Sequence, residues 1–306
     1  MNLQPHFVHS VKLYFKEEGE RWLQELPTII KHVEDKWSLK LGKPYSLSIN
    51  YVAPAVMSDG AEVVVKICIP GEGFLQELEA LRLFRNNGMV QLMDSEEERG
   101  VLLLEKLSPG ESLAILNDHE EAARIAANIM RNLVIPAPES TRIPTTKARE
   151  ESLRNIVEQH PQGIGPISSH ILKRALHIFA YLTKSIKQQY LLHGDFHHYN
   201  VISSGKNQWT AIDPKGLIGE IEYDLIQFML NKLPDQGAIN VIKRRVEIVT
   251  EELQLNKERL LLWGYCHTVL ATSWGVDEDG SFNQSFFQGI EIFETLYRTE
   301  FGEMPL

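Results

Sequence analysis

One change of hydrophobic rhythm, near residue 107, limits what this chain can fold into more than any other feature. Before it the apolar positions are β-like. "YSLSINYVAP" (45–54) alternates, "AEVVVKICIP" (61–70) is a β-branched run closed by proline, and the short runs "MVQLM" (89–93) and "VLLLEKL" (101–107) are parted by the charged turn "DSEEERG". A helix in "GEGFLQELEALRLFRNNG", with Gly88 just past its end, interrupts these strands. A leading helix over 16–40 carries Trp22, Leu23, Leu26, Ile29, Ile30 and Val33 at helical spacing, with a kink expected at Pro27. After "SPGES" (108–112) the intervals turn helical, near 111–133, 147–159, 167–188, 221–231, 239–252, 257–274 and 282–298. Short β-type pieces are left near 191–193, 200–203 and 209–213. The expectation is an α+β chain: a small mixed sheet lobe over 1–107 and a large, mainly helical lobe over 108–306, joined near Glu105–Pro109.

The bulk numbers agree. A chain of 306 residues, 43% hydrophobic and 24% charged, has ample core for two lobes of an ordinary globular protein. Its two cysteines, Cys68 and Cys266, stand far apart, which argues against a disulfide framework or a thiolate zinc site and fits a reducing cytoplasm. The N-terminus lacks the basic start and apolar run of a secretory signal, and no stretch is long enough for a membrane span. A net charge of −10 argues against a non-specific nucleic-acid binder and is compatible with a cationic small substrate.

Chemistry concentrates in "LLHGDFHHYNVI" (191–202). Phosphoryl transfer asks a protein to hold phosphates, to bind magnesium that bridges them, and to aim an acceptor hydroxyl at a carboxylate that takes its proton. Kinase loops do this with an Asp five residues before an Asn, and a His two before the Asp. Asp195, Asn200 and His193 have that spacing. A second acid is required from a following strand end, and "WTAIDPKG" supplies Asp213. Asp213 and Asn200 are hard oxygen ligands that suit magnesium.

The first lobe then owes a lysine for the phosphates and a helix glutamate to orient it. Lys66 lies inside the strand pattern "VVVKI". Of the two glutamates on the next helix, Glu77 shares a face with Phe74, Leu81 and Phe84 and is expected to turn inward, while Glu79 points elsewhere. No Gly-rich loop precedes Lys66. The phosphate-covering turn is "PAVMSDG", with Gly60 and Ser58, and the backbone of Glu105, Lys106 and Leu107 is the strand end that would meet adenine.

A metal hydrolase is the rival, because His193, Asp195, His197 and His198 are dense in ligands. The loop carries one histidine before the aspartate where such sites use two, and the later constellation of Asp213, Lys215, Glu220 and Asp224 is mostly oxygen donors. His197 and His198 read as loop-packing or substrate-side residues. A non-catalytic nucleotide-binding regulator is the other competing class, against which stands the presence of all five kinase positions.

"LHGDFHHYNVI" followed by "WTAIDPKGLIGEIEYDL" resembles the aminoglycoside/hydroxyurea resistance kinases, the family of streptomycin 6-phosphotransferases. That family lies within the aminoglycoside phosphotransferase group of bilobal protein-kinase-like fold. The resemblance extends through "YVAPAVMSDGAEVVVKI", "ELEALRLF", "LLLEKLSPGESL" and "LLLWGYCHTVLATSW". It implies ATP and Mg2+ as cofactors, Asp195 as catalytic base, Asn200 and Asp213 as magnesium ligands, and Lys66 with Glu77 as the phosphate-orienting pair. His193 and Asp224 become supports of the loop. Lys215 would contact phosphate or substrate, or neutralise Glu220. The implied acceptor is a hydroxyl of an aminoglycoside or another small hydroxylated metabolite, a sugar or amino alcohol. For a polycationic acceptor the acids Asp277, Glu278 and Asp279 of "WGVDEDG" are candidate pocket residues, though an exposed acidic loop is the favoured reading of that run.

Overall fold

The computed structural model describes residues 3–277 and 279–305. It opens with α1 (Pro5–Lys36), which is helical well before the expected start. The one residue inside it with non-helical dihedrals is Lys16 (φ 51°, ψ −128°) rather than Pro27. Pro27 lies on the solvent face, where water can take the carbonyl its missing N–H leaves. The break at Lys16 folds α1 back on itself. Phe7 and Trp22 would stand about 22 Å apart along a straight helix, yet their rings meet edge to face at 6.1 Å. Gly19 permits the approach, since a Cβ there would lie 2.6 Å from the Val11 carbonyl oxygen.

The strands β1 (Leu39–Leu41), β2 (Tyr51–Met57), β3 (Glu62–Ile67), β4 (Leu92–Glu96) and β5 (Val101–Glu105), with α2 (Glu72–Leu83) between β3 and β4, form a sheet of order β1-β2-β3-β5-β4. Every pairing is antiparallel, where a mixed sheet was expected. The tight turns of the β2–β3 and β4–β5 hairpins reverse the chain, and β3 and β5 also run in opposite directions. The period-2 pleat sorts the side chains. Ala53, Ala55, Val63, Val65, Ile67, Val101 and Leu103 pack with Trp22, Leu26, Ile29 and Val33 of α1. Leu102 and Leu104 face the other way, into a core shared with Phe74, Leu78 and Leu81 of α2. Lys66 falls on that second face.

Glu96 of β4 pins the end of α1. It accepts from Lys36 Nζ at 2.7 Å and His32 Nε2 at 3.0 Å, and also pairs with Arg99. Burial alone would raise its carboxyl; these hydrogen bonds outweigh it and hold the group at about 2. A carboxylate lowered on folding stabilises above its unfolded value and loses that contribution as pH falls through the folded one. Glu96→Gln should therefore cost about 1–2 kcal/mol at pH 7, discounted for the exposure of its partners. Urea melts of variant and wild type should converge near pH 2.

Beyond the sheet the chain is helical: α3 (His119–Leu133), α4 (Thr146–Gln159), α5 (Ser169–Lys184), α6 (Ile221–Asp224), α7 (Ile226–Leu230), α8 (Ala238–Leu253), α9 (Lys257–Trp274) and α10 (Gln284–Phe301). The helix expected from 111 begins at 119, because the Asp118 carboxylate caps the amides of Glu120 and Glu121. Helix α9 is buried from Leu260 to Leu270 and serves as the central post. Gly264 lets α10 close on it, since a Cβ there would fall 2.4 Å from the Phe293 ring. Small strands stitch this part together: β6 (Ile135–Pro136), the pair β7 (Gly163–Ile164) and β8 (Ile167–Ser168), β9 (Tyr190–Leu192), the hairpin β10 (Val201–Gly205) and β11 (Gln208–Ala211), and β12 (Leu217–Gly219). β12, β9 and β6 form one sheet, so the loop after β9 and the loop before β12 emerge side by side. No described helix is long and apolar enough to cross a membrane.

Candidate active site

The loop 193–200 is held by its backbone. Asp224 takes the amides of His193 (2.7 Å) and Gly194 (2.8 Å), one on each carboxylate oxygen. Burial pushes Asp224 up to about 7, against the pull of those two N–H donors. The His193 ring is fully enclosed. Its Nε2 donates to the Ile212 carbonyl at 2.9 Å and its Nδ1 accepts the Asp195 amide at 3.3 Å, so the ring is neutral, as burial requires by lowering it to about 4. The His193 carbonyl accepts from the amides of Lys215 (2.8 Å) and Gly216 (3.0 Å), which binds the second loop to the first. Gly194 has φ +81° and its missing Cβ would sit 3.2–3.3 Å from the Gly216 backbone, so the two loops pass at a distance only glycine allows.

Asp195 keeps part of its side chain exposed, and Asn200 lies buried beside it. Asn200 Nδ2 donates to the Asp195 carbonyl at 3.0 Å, which leaves its own side-chain oxygen as a donor atom for a ligand. Burial raises Asp195, and the neighbouring His197 and Lys215 pull it back in part. A carboxylate made more basic in this way is better matched to accepting a hydroxyl proton. The two histidines part company. His197 Nε2 lies 3.6 Å from Asp195 Oδ1, while Tyr199 N–H donates to its Nδ1 at 3.2 Å. His198 turns into the core, stacked on Phe228 at 4.1 Å and met by Arg245 Nη2 at 3.3 Å, where no substrate reaches it. It is a packing residue.

Lys66 joins the two halves of the chain. Its ammonium donates to Glu77 Oε1 at 2.5 Å and to Asp213 Oδ1. Burial alone would lower Lys66, but the carboxylates of Asp213 and Glu77 outweigh it and hold the lysine charged. Asp213 is likewise held well below the usual range: the lysines Lys66 and Lys215 overcome the opposing effect of its burial. It sits at φ 59°, a left-handed conformation that aspartate tolerates better than most residues. Lys215 Nζ approaches the same Asp213 oxygen at 3.5 Å. It does not neutralise Glu220, whose Oε2 is taken by Arg259 Nη2 (2.6 Å) and Trp263 Nε1 (2.8 Å).

Other expected residues stand apart from this cluster. Ser58 is exposed at the tip of the β2–β3 turn with its amide donating to the Ser38 carbonyl, so its hydroxyl is what remains for a ligand. Gly60 supplies the positive φ (+89°) of that turn. At the end of β5, Glu105 bonds Gln91 through both backbone and side chain, the Lys106 ammonium is paired with Glu62 at 2.5 Å, and Leu107 packs against the core, so the two charged side chains are engaged outside the cluster. Asp277 and Asp279 both bond Ser281 in their own exposed turn; Glu278 lies outside the described residues. Among the described residues no group of three or more His, Cys, Asp or Glu is arranged to hold a metal, and His193, with both ring nitrogens engaged, is not free to be a ligand.

Two supports carry no motif of their own. Glu79 accepts from Thr141 Oγ1 (2.5 Å) and pairs with Arg142 (3.2 Å), tying α2 to the Pro-rich loop 135–145. Arg245 is buried beneath the loop and donates to the carbonyls of Phe228, Met229 and Asn231. A sequence signal for it exists: it lies three residues after Ile242 and four before Val249, on the apolar face of α8. Arg245→Leu should leave those carbonyls unpaired and cost about 2–4 kcal/mol in a denaturant melt.

Comparison with known proteins agrees with this geometry. The streptomycin 6-kinase of Streptomyces griseus is 30% identical over 273 residues, covering 86% of this chain and 87% of that one. The hydroxyurea phosphotransferase of Kitasatospora aureofaciens is 28% identical over 269 residues, covering 86% and 76%. A solved aminoglycoside phosphotransferase, in ternary complex with ADP and hygromycin B, shares the fold with a TM-score of 0.62 at 13% identity, over 90% of this chain and 99% of that one. Residues 41–280 match the family of aminoglycoside/hydroxyurea antibiotic resistance kinases. The chain therefore belongs to that family and is a small-molecule kinase acting on hydroxyl groups.

Proposed function

We propose that this kinase transfers the γ-phosphoryl group of ATP to a hydroxyl of an aminoglycoside, with streptomycin as the leading acceptor, and that it works in the cytoplasm. The observation that carries the reading is the convergence of Lys66, Glu77 and Asp213, residues up to 147 positions apart, beside the loop of Asp195 and Asn200. A buried, charged lysine between two carboxylates is a pre-arranged phosphate partner. Residues 1–107 form the nucleotide lobe, with the backbone of Glu105–Leu107 against adenine and the Ser58 hydroxyl over the phosphates. Residues 108–306 bring the acceptor to Asp195.

Magnesium fits the donor set. Both lysines bond Asp213 through Oδ1, so Oδ2 and the Asn200 side-chain oxygen are the atoms that would hold it. When bound, the ion neutralises charge on the phosphates. Asp195 orients the acceptor hydroxyl and takes its proton, and His193 and Asp224 keep the loop in register for it.

The relatives' names offer two acceptors, streptomycin and hydroxyurea. A coupled assay of ADP release with magnesium, run against streptomycin, other aminoglycosides, hydroxyurea, choline and simple sugars, tests the reading. Release that depends on an aminoglycoside supports it. A response to hydroxyurea alone moves the acceptor, and a response to choline or a sugar alone removes the aminoglycoside role.

A further inference from the structure

The family reading leaves the task of Lys215 open between phosphate, substrate and Glu220, and the geometry around it is specific. Its amide is fixed to the His193 carbonyl at 2.8 Å, so its backbone belongs to the 193–200 loop as much as to its own. Gly216, at φ +73°, packs the next step of the chain against Ala80 of α2 and Ile143, where a Cβ would meet both at 3.3 Å. The position of residue 215 is thus set from three sides. Its ammonium lies 3.5 Å from Asp213 Oδ1, and its charge acts on Asp195 and His197 as well. Glu220, the other carboxylate near in sequence, is occupied by Arg259 and Trp263. Lys215 is held beside Asp213, the acid assigned to the nucleotide side, and with its side chain 40% exposed its ammonium keeps donors for a ligand.

The phosphate-covering turn is poor by contrast. The Ser58 amide is engaged with Ser38, and the Gly60 amide closes its own turn on the Met57 carbonyl. A phosphoryl group in flight carries negative charge on three oxygens that are neither attacking nor leaving, and these need donors in place before reaction. Lys66 is already shared by two carboxylates.

We propose that Lys215 is a catalytic residue whose ammonium stabilises the transferring phosphoryl group. The inference rests on the kinase reading. In the step, the acceptor oxygen bonds to the γ-phosphorus and the bond from that phosphorus to the β–γ bridging oxygen breaks. The electron pair leaves with ADP, and the hydroxyl proton passes to Asp195. Lys215 donates hydrogen bonds to the non-bridging oxygens and gives up no proton.

The test uses Lys215→Met and Lys215→Arg in the full chain. The probes are ADP with magnesium, alone and with aluminium fluoride, which mimics the transferring group; binding is read by calorimetry and turnover by ADP release. For Lys215→Met the expected result is a kcat lower by about 100-fold or more. Its ADP affinity should stay within about threefold of wild type and its preference for the aluminium fluoride complex should disappear. Lys215→Arg should recover part of both. Retention of that preference by Lys215→Met, or an equal loss of ADP binding with and without aluminium fluoride, overturns the proposal. A wild-type chain that binds neither form overturns the kinase reading, and this inference with it.

Discussion

Asp195→Asn will lower kcat by about 10²–10⁴-fold while ADP still binds. The substitution keeps size and shape, and the contacts that hold residue 195 are made by its backbone: the amide to His193 Nδ1 and the carbonyl to Asn200. The loop should therefore stay in place and the loss should fall on the chemical step. An asparagine cannot take the acceptor proton, and it no longer faces the ring of His197 as an anion. Steady-state kinetics beside ADP calorimetry checks this. An Asp195→Asn enzyme within about tenfold of wild-type kcat would mean that proton transfer to this carboxylate is not part of the barrier.

Lys66→Met should damage both activity and folding, and pH separates the two. The variant leaves Glu77, with a side chain 5% exposed, without its paired ammonium, and only the more distant charge of Lys215 still acts on it. Removing one member of a buried pair costs about 3–5 kcal/mol. Glu77 can escape by taking a proton, since burial already raises it. A carboxyl raised on folding gives its full stability below its unfolded value, about 4.3, and loses it as pH rises through the folded one. The stability gap to wild type should thus be widest near neutrality and narrow toward pH 5. Lys66→Met with Glu77→Leu removes the orphaned charge and should recover most of the stability at pH 7, with no recovery of turnover. If the double variant also regains activity, Lys66 serves the fold and not the phosphates.

Much of this site was legible because its chemistry ties residue types to chain spacing. Asp195 and Asn200 share a loop, and Asp213 ends the next hairpin, so the sequence interval between them reflects a β-turn and two short strands. Glu77 was separable from Glu79 because helix geometry puts it on the face of Phe74 and Leu81, and it is Glu77 that meets Lys66. Glu79 serves a different contact, with Thr141 and Arg142, across a loop whose path no local pattern encodes.

The fold was less legible where tertiary contacts overrode local preference. Nothing about a lysine at position 16 announces a left-handed residue; the break is stabilised by Phe7 and Trp22 meeting across it. Pro27, the residue with the stronger local signal, leaves the helix unbroken because its ring faces water. His197 and His198 are neighbours in sequence with opposite environments, and the stack on Phe228 that separates them comes from α7, thirty residues away. The pairing of Glu220 with Arg259 rather than Lys215 likewise depends on α9 lying beneath the β12–α6 junction.

The most direct test of the central claim tracks the phosphorus itself. Wild-type protein is incubated with magnesium and ATP labelled in the γ-phosphoryl group, with and without streptomycin, and the products are separated. The account predicts label on the acceptor as a phosphate ester, formed together with ADP and absent from the Asp195→Asn reaction. Label that appears only as inorganic phosphate, or stays on ATP across the whole panel of hydroxylated acceptors, would contradict it.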